Sequence, residues 1–292
     1  MRKSFLVLLV GMILIVGACT PKDSFTIQGK ITGLSDGTIM ELVPGATHKQ
    51  EKPVAEAIMT KGGFSFTGNV ETPRLYYVMV QGMNGVIPVV VENGLQVCIH
   101  GKAEKRDYNG QMFVEFSDIK VTGSPVHDEF LQKIDFRTKL DQLYEDKEKK
   151  HADINRKIGE ARGNKEQVLL DSLSRTEAYA QMEKDEAAFF EKAEAEITKA
   201  VLDNKDSWWG PFLMLNLMSW FEEDQKEWFE AFSPEVQKSY YGQIVYKELF
   251  PETLEGKNAP SFTVTDSAGK KVTLQELQKN KKYSKIFTWK YS

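Results

Sequence analysis

From residue 25 to about residue 123, apolar and polar positions alternate in short runs: 25–32, 38–43, 54–60, 64–68, 75–81, 86–91, 95–100 and 112–121. A period of two is the mark of a strand with one face in a core. Ser35-Asp36-Gly37, Lys61-Gly62-Gly63, Asn84-Gly85 and Glu92-Asn93-Gly94 separate the runs, and Gly and Asn supply turns because they tolerate positive φ. The spacing predicts an antiparallel, sandwich-like β domain over residues 25–123.

At Thr122-Gly123-Ser124-Pro125 the period changes. Ser124 is placed to cap a helix and Pro125 suits its first position, with Asp128 and Glu129 near the positive end of the helix dipole. Val126, Phe130 and Ile134, then Phe136, Leu140 and Leu143, recur at helical spacing and predict a helix to about Gly159. After Arg162-Gly163-Asn164 a second stripe runs through Leu169, Leu173, Tyr179, Met182, Phe189, Phe190, Ala193, Ile197 and Val201, predicting a helix over 165–202. Two amphipathic helices joined by a short link suggest an antiparallel hairpin. A coiled-coil dimer is the alternative, against which the stripe keeps no strict seven-residue period.

The segment 208–221, rich in Trp, Phe, Leu and Met, is the most apolar part of the chain after residue 19. With Gly210-Pro211 inside it, it is too short to cross a bilayer, which takes roughly 20 apolar residues. It reads as a helix buried among the others, or as a face that packs on a further domain or a client. Shorter helices are expected over 224–232 and, after a Ser233-Pro234 start, over 235–250. The tail from Gly256 shows a short alternating strand at Phe262 and Val264, a turn at Ala268-Gly269, a second strand at Val272 and Leu274, and the start of a helix. The pattern as a whole is α+β and multidomain. It comprises a leader (1–18), a tether (19–24), a β domain (25–123), a helical domain (124–250), and a linker with the tail (251–292).

Met1-Arg2-Lys3 is basic and residues 5–16 are apolar apart from Gly11, as in a signal peptide. The segment ends in Val16-Gly17-Ala18-Cys19, which resembles the lipobox of bacterial lipoproteins, and that resemblance implies lipid attachment at Cys19, with a plain cleaved signal or a retained anchor as the alternatives. Thr20 after Cys19 resembles the sorting pattern of outer-membrane lipoproteins. The expectation is therefore a lipid-anchored envelope protein facing an oxidising, periplasmic compartment.

Composition then narrows the partners. The chain of 292 residues is 41% hydrophobic and 27% charged, enough to bury cores, and it carries 38 basic against 42 acidic residues. Losing Arg2 and Lys3 with the leader would make it more acidic still, which argues against nucleic acid as a partner. The membrane and an envelope protein are the expected partners. The two cysteines are Cys19 and Cys98. With Cys19 lipidated, Cys98 stands alone in an alternating run and reads as a buried, inert thiol. His48, His100 and His127 are scattered without metal-ligand spacing, so no metal, cofactor or catalytic residue is picked out. Tyr76, Tyr77, Met79 and Met83 read as core, with a hydrophobic surface as the alternative.

Two resemblances organise these pieces. Phe25-Thr26-Ile27-Gln28-Gly29-Lys30-Ile31, Gly63-Phe64-Ser65-Phe66-Thr67-Gly68, Val91-Glu92-Asn93-Gly94 and Val121-Thr122-Gly123-Ser124 resemble the domain-of-unknown-function family 4369 module found at the N-terminus of envelope thiol–disulfide oxidoreductases. The tail Gly256-Lys257-Asn258-Ala259-Pro260-Ser261-Phe262, followed by Asp266-Ser267-Ala268-Gly269-Lys270, resembles the opening of the thioredoxin-like domain in those enzymes and in the alkyl hydroperoxide reductase/thiol-specific antioxidant family. The helical segment is similar too, at Asn204, Asp206 and Ser207 and at Ser239, Tyr241 and Gly242. The resemblance implies thiol–disulfide exchange through a Cys-x-x-Cys, whose first sulfur is activated at a helix N-terminus. No cysteine follows Cys98. The chain is thus expected to be a truncated oxidoreductase lipoprotein without redox activity of its own, its tail weakly structured or docked on the helical region. A non-enzymatic envelope binding or scaffold lipoprotein is the alternative.

Overall fold

The computed structural model describes residues 22–108, 110–251, 262–265 and 269–279. Cys19, the expected leader, and residues 256–261 and 281–292 of the tail lie outside the described residues. Two compact units divide after Leu249.

In the first unit, two four-stranded sheets enclose one hydrophobic core. One sheet has the order β4 (Gly63–Gly68), β1 (Phe25–Thr32), β7 (Gln96–Tyr108), β8 (Gln111–Thr122); the other has β3 (Ala55–Ile58), β2 (Ile39–Pro44), β5 (Arg74–Val80), β6 (Val86–Val91). Alternation does what the pattern predicts. Phe25, Ile27 and Ile31 of β1 and Val97 and Ile99 of β7 face Met40, Leu42, Val78 and Val89 across the core. The pairing is not wholly antiparallel, because β1 runs parallel to β7, Ile27 lying beside Val97 and Gly29 beside Ile99.

β7 also continues past the expected end at His100 to Tyr108. Its extension carries charges where the apolar signal is lost. The ladder to β8 continues there, and Lys102 to Asp118 and Arg106 to Glu115 pair across it. Gly123, at φ +82°, closes β8; a Cβ there would lie 2.1 Å from the Gln96 carbonyl oxygen.

The two sheets differ on their outer faces. That of the β3-β2-β5-β6 sheet is covered by helices, so Leu75 and Val90, paired across β5 and β6, are buried on the side away from the sandwich core. This accounts for the nearly unbroken apolar run Val89-Val90-Val91, as expected of a strand buried on both sides.

The helices that follow the strands are α1 (Pro125–Lys133), α2 (Phe136–Lys150), α3 (Ala152–Gly163), α4 (Gln167–Leu173), α5 (Glu177–Leu202), α6 (Trp209–Leu217), α7 (Gln225–Glu230), α8 (Pro234–Gln237) and α9 (Tyr240–Leu249), of which α1 and α9 bond directly to the sheet. The expected hairpin is present but jointed. Lys133 meets Asn204, Tyr144 packs at a tilt against Phe189, and Lys150 and His151 reach Asp185, so α1–α2 runs antiparallel to α5. Where one helix to Gly159 is expected, the chain breaks at Ile134-Asp135 and again at His151, whose backbone (φ −104°, ψ 14°) leaves the helical region. That break turns the buried His151 toward α5, its Nε2 2.8 Å from Asp185. The second expected helix is interrupted at 174–176, where Thr176 accepts the Tyr179 N–H and starts α5 afresh.

In the second unit, β9 (Thr263–Thr265) pairs antiparallel with β10 (Lys271–Thr273), followed by α10 (Leu274–Gln278). Thr273 and Glu276 form a capping box at its start.

Candidate functional site

The helices are fastened to the sheet by a few buried polar groups. Val90 lies on an edge strand, whose free N–H and C=O would otherwise be left without partners. Ser124 Oγ donates to the Val90 carbonyl at 2.7 Å, and the Val90 N–H donates to His127 Nδ1 at 3.4 Å. Ser124 also accepts the His127 N–H, so the cap of α1 and the edge of β6 share one hydroxyl. His127 is buried, and that burial lowers its pKa from the ordinary histidine value, with Asp128 opposing.

A second weld lies beside it. The Leu75 N–H donates to the Tyr241 hydroxyl at 3.0 Å, and Tyr241 is 1% exposed among Trp208, Phe212 and Tyr240. Burial pushes its hydroxyl far above the usual phenol range. Gly242 follows because α9 starts against α8: a Cβ there would be 2.2 Å from the Val236 carbonyl oxygen. Ser239 donates to that same carbonyl and accepts the Gly242 N–H. Ser239, Tyr241 and Gly242 are thus joined in one structural device. Asn204 likewise accepts from Lys133 and donates to the Ala200 carbonyl, while Ser207 donates back to Asn204.

The third fastening is of another kind. Between β2 and β3 the chain passes Gly45-Ala46-Thr47-His48-Lys49, with Ala46 and His48 both in the left-handed region at φ +54° and +53°. Non-glycine residues reach this region only when their surroundings hold them there. His48 Nδ1 is 2.7 Å from Glu248 of α9, and Nε2 is 2.9 Å from the Leu215 carbonyl and 2.6 Å from that of Met218. All three partners are oxygens, so both ring nitrogens are held, one by a carboxylate and the other by two backbone carbonyls. The carbonyls sit at the C-terminal end of α6, the negative end of its dipole. The Phe221 ring packs 4.9 Å from the imidazole. A cavity of about 470 Å³ opens beside this loop, walled by Val43, Tyr77, Met79 and Leu215.

On the other side of the same α6 terminus lies an apolar groove of about 470 Å³, between α5 and the chain that leaves α6 and enters α7. Phe190, Ile197, Met218, Trp220 and Trp228 form its walls, and Glu194, Glu222 and Asp224 line its rim. His48 therefore braces the start of the segment that builds one wall of this groove.

The residues considered in the sequence separate as follows. Cys98 is corrected: it is half-buried on the outer face of its sheet, because strand alternation gives the core to Val97 and Ile99. His100 shares that face with Cys98, Gln28 and Lys30 in a shallow depression. Tyr76 is buried in the core, Met83 packs against it, and Tyr77 and Met79 face the cavity beside His48. The apolar segment from Trp208 is divided. Phe212, Leu213 and Met214 are buried, α6 ends at Leu217, and Trp220 is exposed. Among the described residues no group of three or more His, Cys, Asp or Glu side chains is placed to hold a metal ion, and no helix among them is long and apolar enough to cross a membrane.

Sequence inspection missed Glu248, His151 and Gln225. The partners that define Glu248 and His151 lie far along the chain, and Gln225 is defined by the irregular backbone at Glu222.

The fold defines a β-sandwich buttressed on one sheet by a helical layer. Residues 25–130 match a family described as a domain of unknown function, DUF4369. The match covers all eight strands of the sandwich and runs into α1 as far as Phe130, beyond the Ser124 and His127 contacts that complete the edge of β6. No curated protein matches the chain.

Proposed function

We propose that this protein is a lipid-anchored envelope protein related to thiol–disulfide oxidoreductases, held at the membrane through Cys19, whose first unit acts as a binding module. The observation that carries the reading is the order of parts. A β module matching a family of unknown function is followed by a helical layer, and then by a tail whose sequence resembles a thioredoxin-like opening and which carries the hairpin β9–β10 and the capped helix α10.

The chemistry of exchange needs a thiolate and a partner sulfur. The chain supplies Cys98 on a strand, with no Cys-x-x-Cys, so these 292 residues act by binding rather than by exchange. The purified chain should reduce insulin no faster than buffer with the same reductant. A rate above that, abolished by Cys98→Ala, would overturn the assignment. Cys19→Ala should move the protein from the membrane fraction to the soluble fraction and remove the acyl mass from its N-terminal peptide.

A scaffold without oxidoreductase ancestry is the second reading. The groove beside α6 favours it, because that feature needs no redox domain to act.

A further inference from the structure

We infer that the groove between α5 and α7 is a docking site for a cationic, apolar peptide segment of a partner protein. Three independent features of the groove point to that occupant.

Its walls are large apolar side chains left open: Phe190 is 56% exposed and Trp220 69%. Phe189, one residue earlier, packs against Tyr144 in the α2–α5 seam, so Phe190 points away from that seam. Large aromatic side chains at the rim of a cleft are typical anchors of protein contacts.

The rim has one sign of charge. No Lys or Arg lines the groove, and Glu194, Glu222 and Asp224 have no cationic partner among the described residues. An anionic lipid surface or acidic segment would be repelled there, whereas Lys or Arg side chains would be drawn in.

The third feature is a buried donor. Gln225, 5% exposed at the head of α7, accepts the Glu222 N–H through Oε1, which fixes which end of the amide is oxygen. Its Nε2 has no acceptor among the described residues, although the residue lines the groove. A buried amide left without a partner is unfavourable, and a backbone carbonyl of an incoming peptide satisfies it. Together these features specify apolar side chains for the walls, a cation for the rim and a peptide carbonyl for Gln225. The site stands whether or not the protein descends from oxidoreductases.

The test is titration of the full chain with a short synthetic peptide alternating Lys with Leu and Phe, followed by Trp fluorescence and calorimetry. A Glu-for-Lys version of the peptide and phosphatidylglycerol vesicles serve as competing probes. The Lys peptide should bind with an affinity that falls as salt rises, and the Glu peptide and the vesicles should not bind. Trp220→Ala and the double change Glu222→Lys, Asp224→Lys should each weaken binding by about tenfold or more. Gln225→Ala removes the donor together with the oxygen that accepts the Glu222 N–H, so it should weaken binding and lower the melting temperature modestly. Phe190→Ala, at an exposed position, gives a second variant that should weaken binding with an unchanged melting temperature. Equal binding of the Glu peptide, binding of the vesicles instead, or self-association of the chain abolished by Trp220→Ala would each overturn the assignment.

Discussion

The two sheets of the sandwich share one core yet meet the rest of the chain differently. On the β4-β1-β7-β8 sheet the outer face carries Gln28, Lys30, Cys98 and His100. On the β3-β2-β5-β6 sheet the same face position is held by Leu75 and Val90, buried by helices, with Tyr241 and His127 satisfying the backbone. One sheet ends at its surface, and the other continues into a second layer. That second layer sets where the cavity beside His48 and the groove beyond α6 can form, because Tyr241 holds α9 to β5, Ser124 and His127 hold α1 to β6, and Phe212 of α6 packs against both Phe130 and Tyr241.

The sharpest way to break this contrast is Leu75→Ala. It should destabilise the first unit by about 2–5 kcal/mol, the cost of a core truncation, although Leu75 lies outside the sandwich core. Urea unfolding measures it, and a loss no larger than that of a surface change would mean the helices barely contribute. Next comes Tyr241→Phe, which leaves the Leu75 N–H buried without its acceptor and should cost about 1–3 kcal/mol at almost constant volume.

His127 sharpens the comparison through pH. Its folded pKa is lowered by burial, so at neutral to alkaline pH the ring is neutral in both the folded and unfolded chain. As pH falls through about 6.5 the unfolded chain takes up a proton that the folded one resists. Stability should therefore drop on acidification, by up to about 1.4 kcal/mol per pH unit for one such group. His127→Gln, which offers an oxygen to the Val90 N–H, should flatten that slope in urea titrations at pH 5 and 7.5.

The smallest effect belongs to the open sheet. Cys98→Ser should change stability by no more than about 0.5 kcal/mol, as expected of a half-exposed side chain without a specific partner. A cost of several kcal/mol would erase the distinction between the two outer faces.

His48 marks the limit of local reading. Its sequence neighbours suggest only a turn, and its ring is defined by Glu248, Leu215 and Met218, some 167 to 200 residues away along the chain. Ser124 and Pro125, by contrast, show a helix start that the structure places within one residue, because a cap depends on atoms three positions apart. The 208–221 segment lies between these cases. Its apolar character is plain, but its division into a buried half and an exposed half follows from the end of α6 at Leu217. The joint at His151 was hidden for a similar reason: its charged neighbours keep helical spacing, and the break answers Asp185 on another helix, where Lys150 and His151 hold that carboxyl well below the usual carboxylate range.

By itself the sequence determined the α+β order of strands then helices and the approximate strand positions, since alternation and helical spacing are local consequences of backbone geometry. It also determined the helix starts at Ser124 and Ser233. Only the tertiary structure decided that β1 and β7 run parallel, that one sheet is buried on both faces, and that Phe190, Trp220 and Gln225 meet in one groove. Those outcomes depend on which distant surfaces are brought together to exclude water, and no short-range pattern encodes that choice.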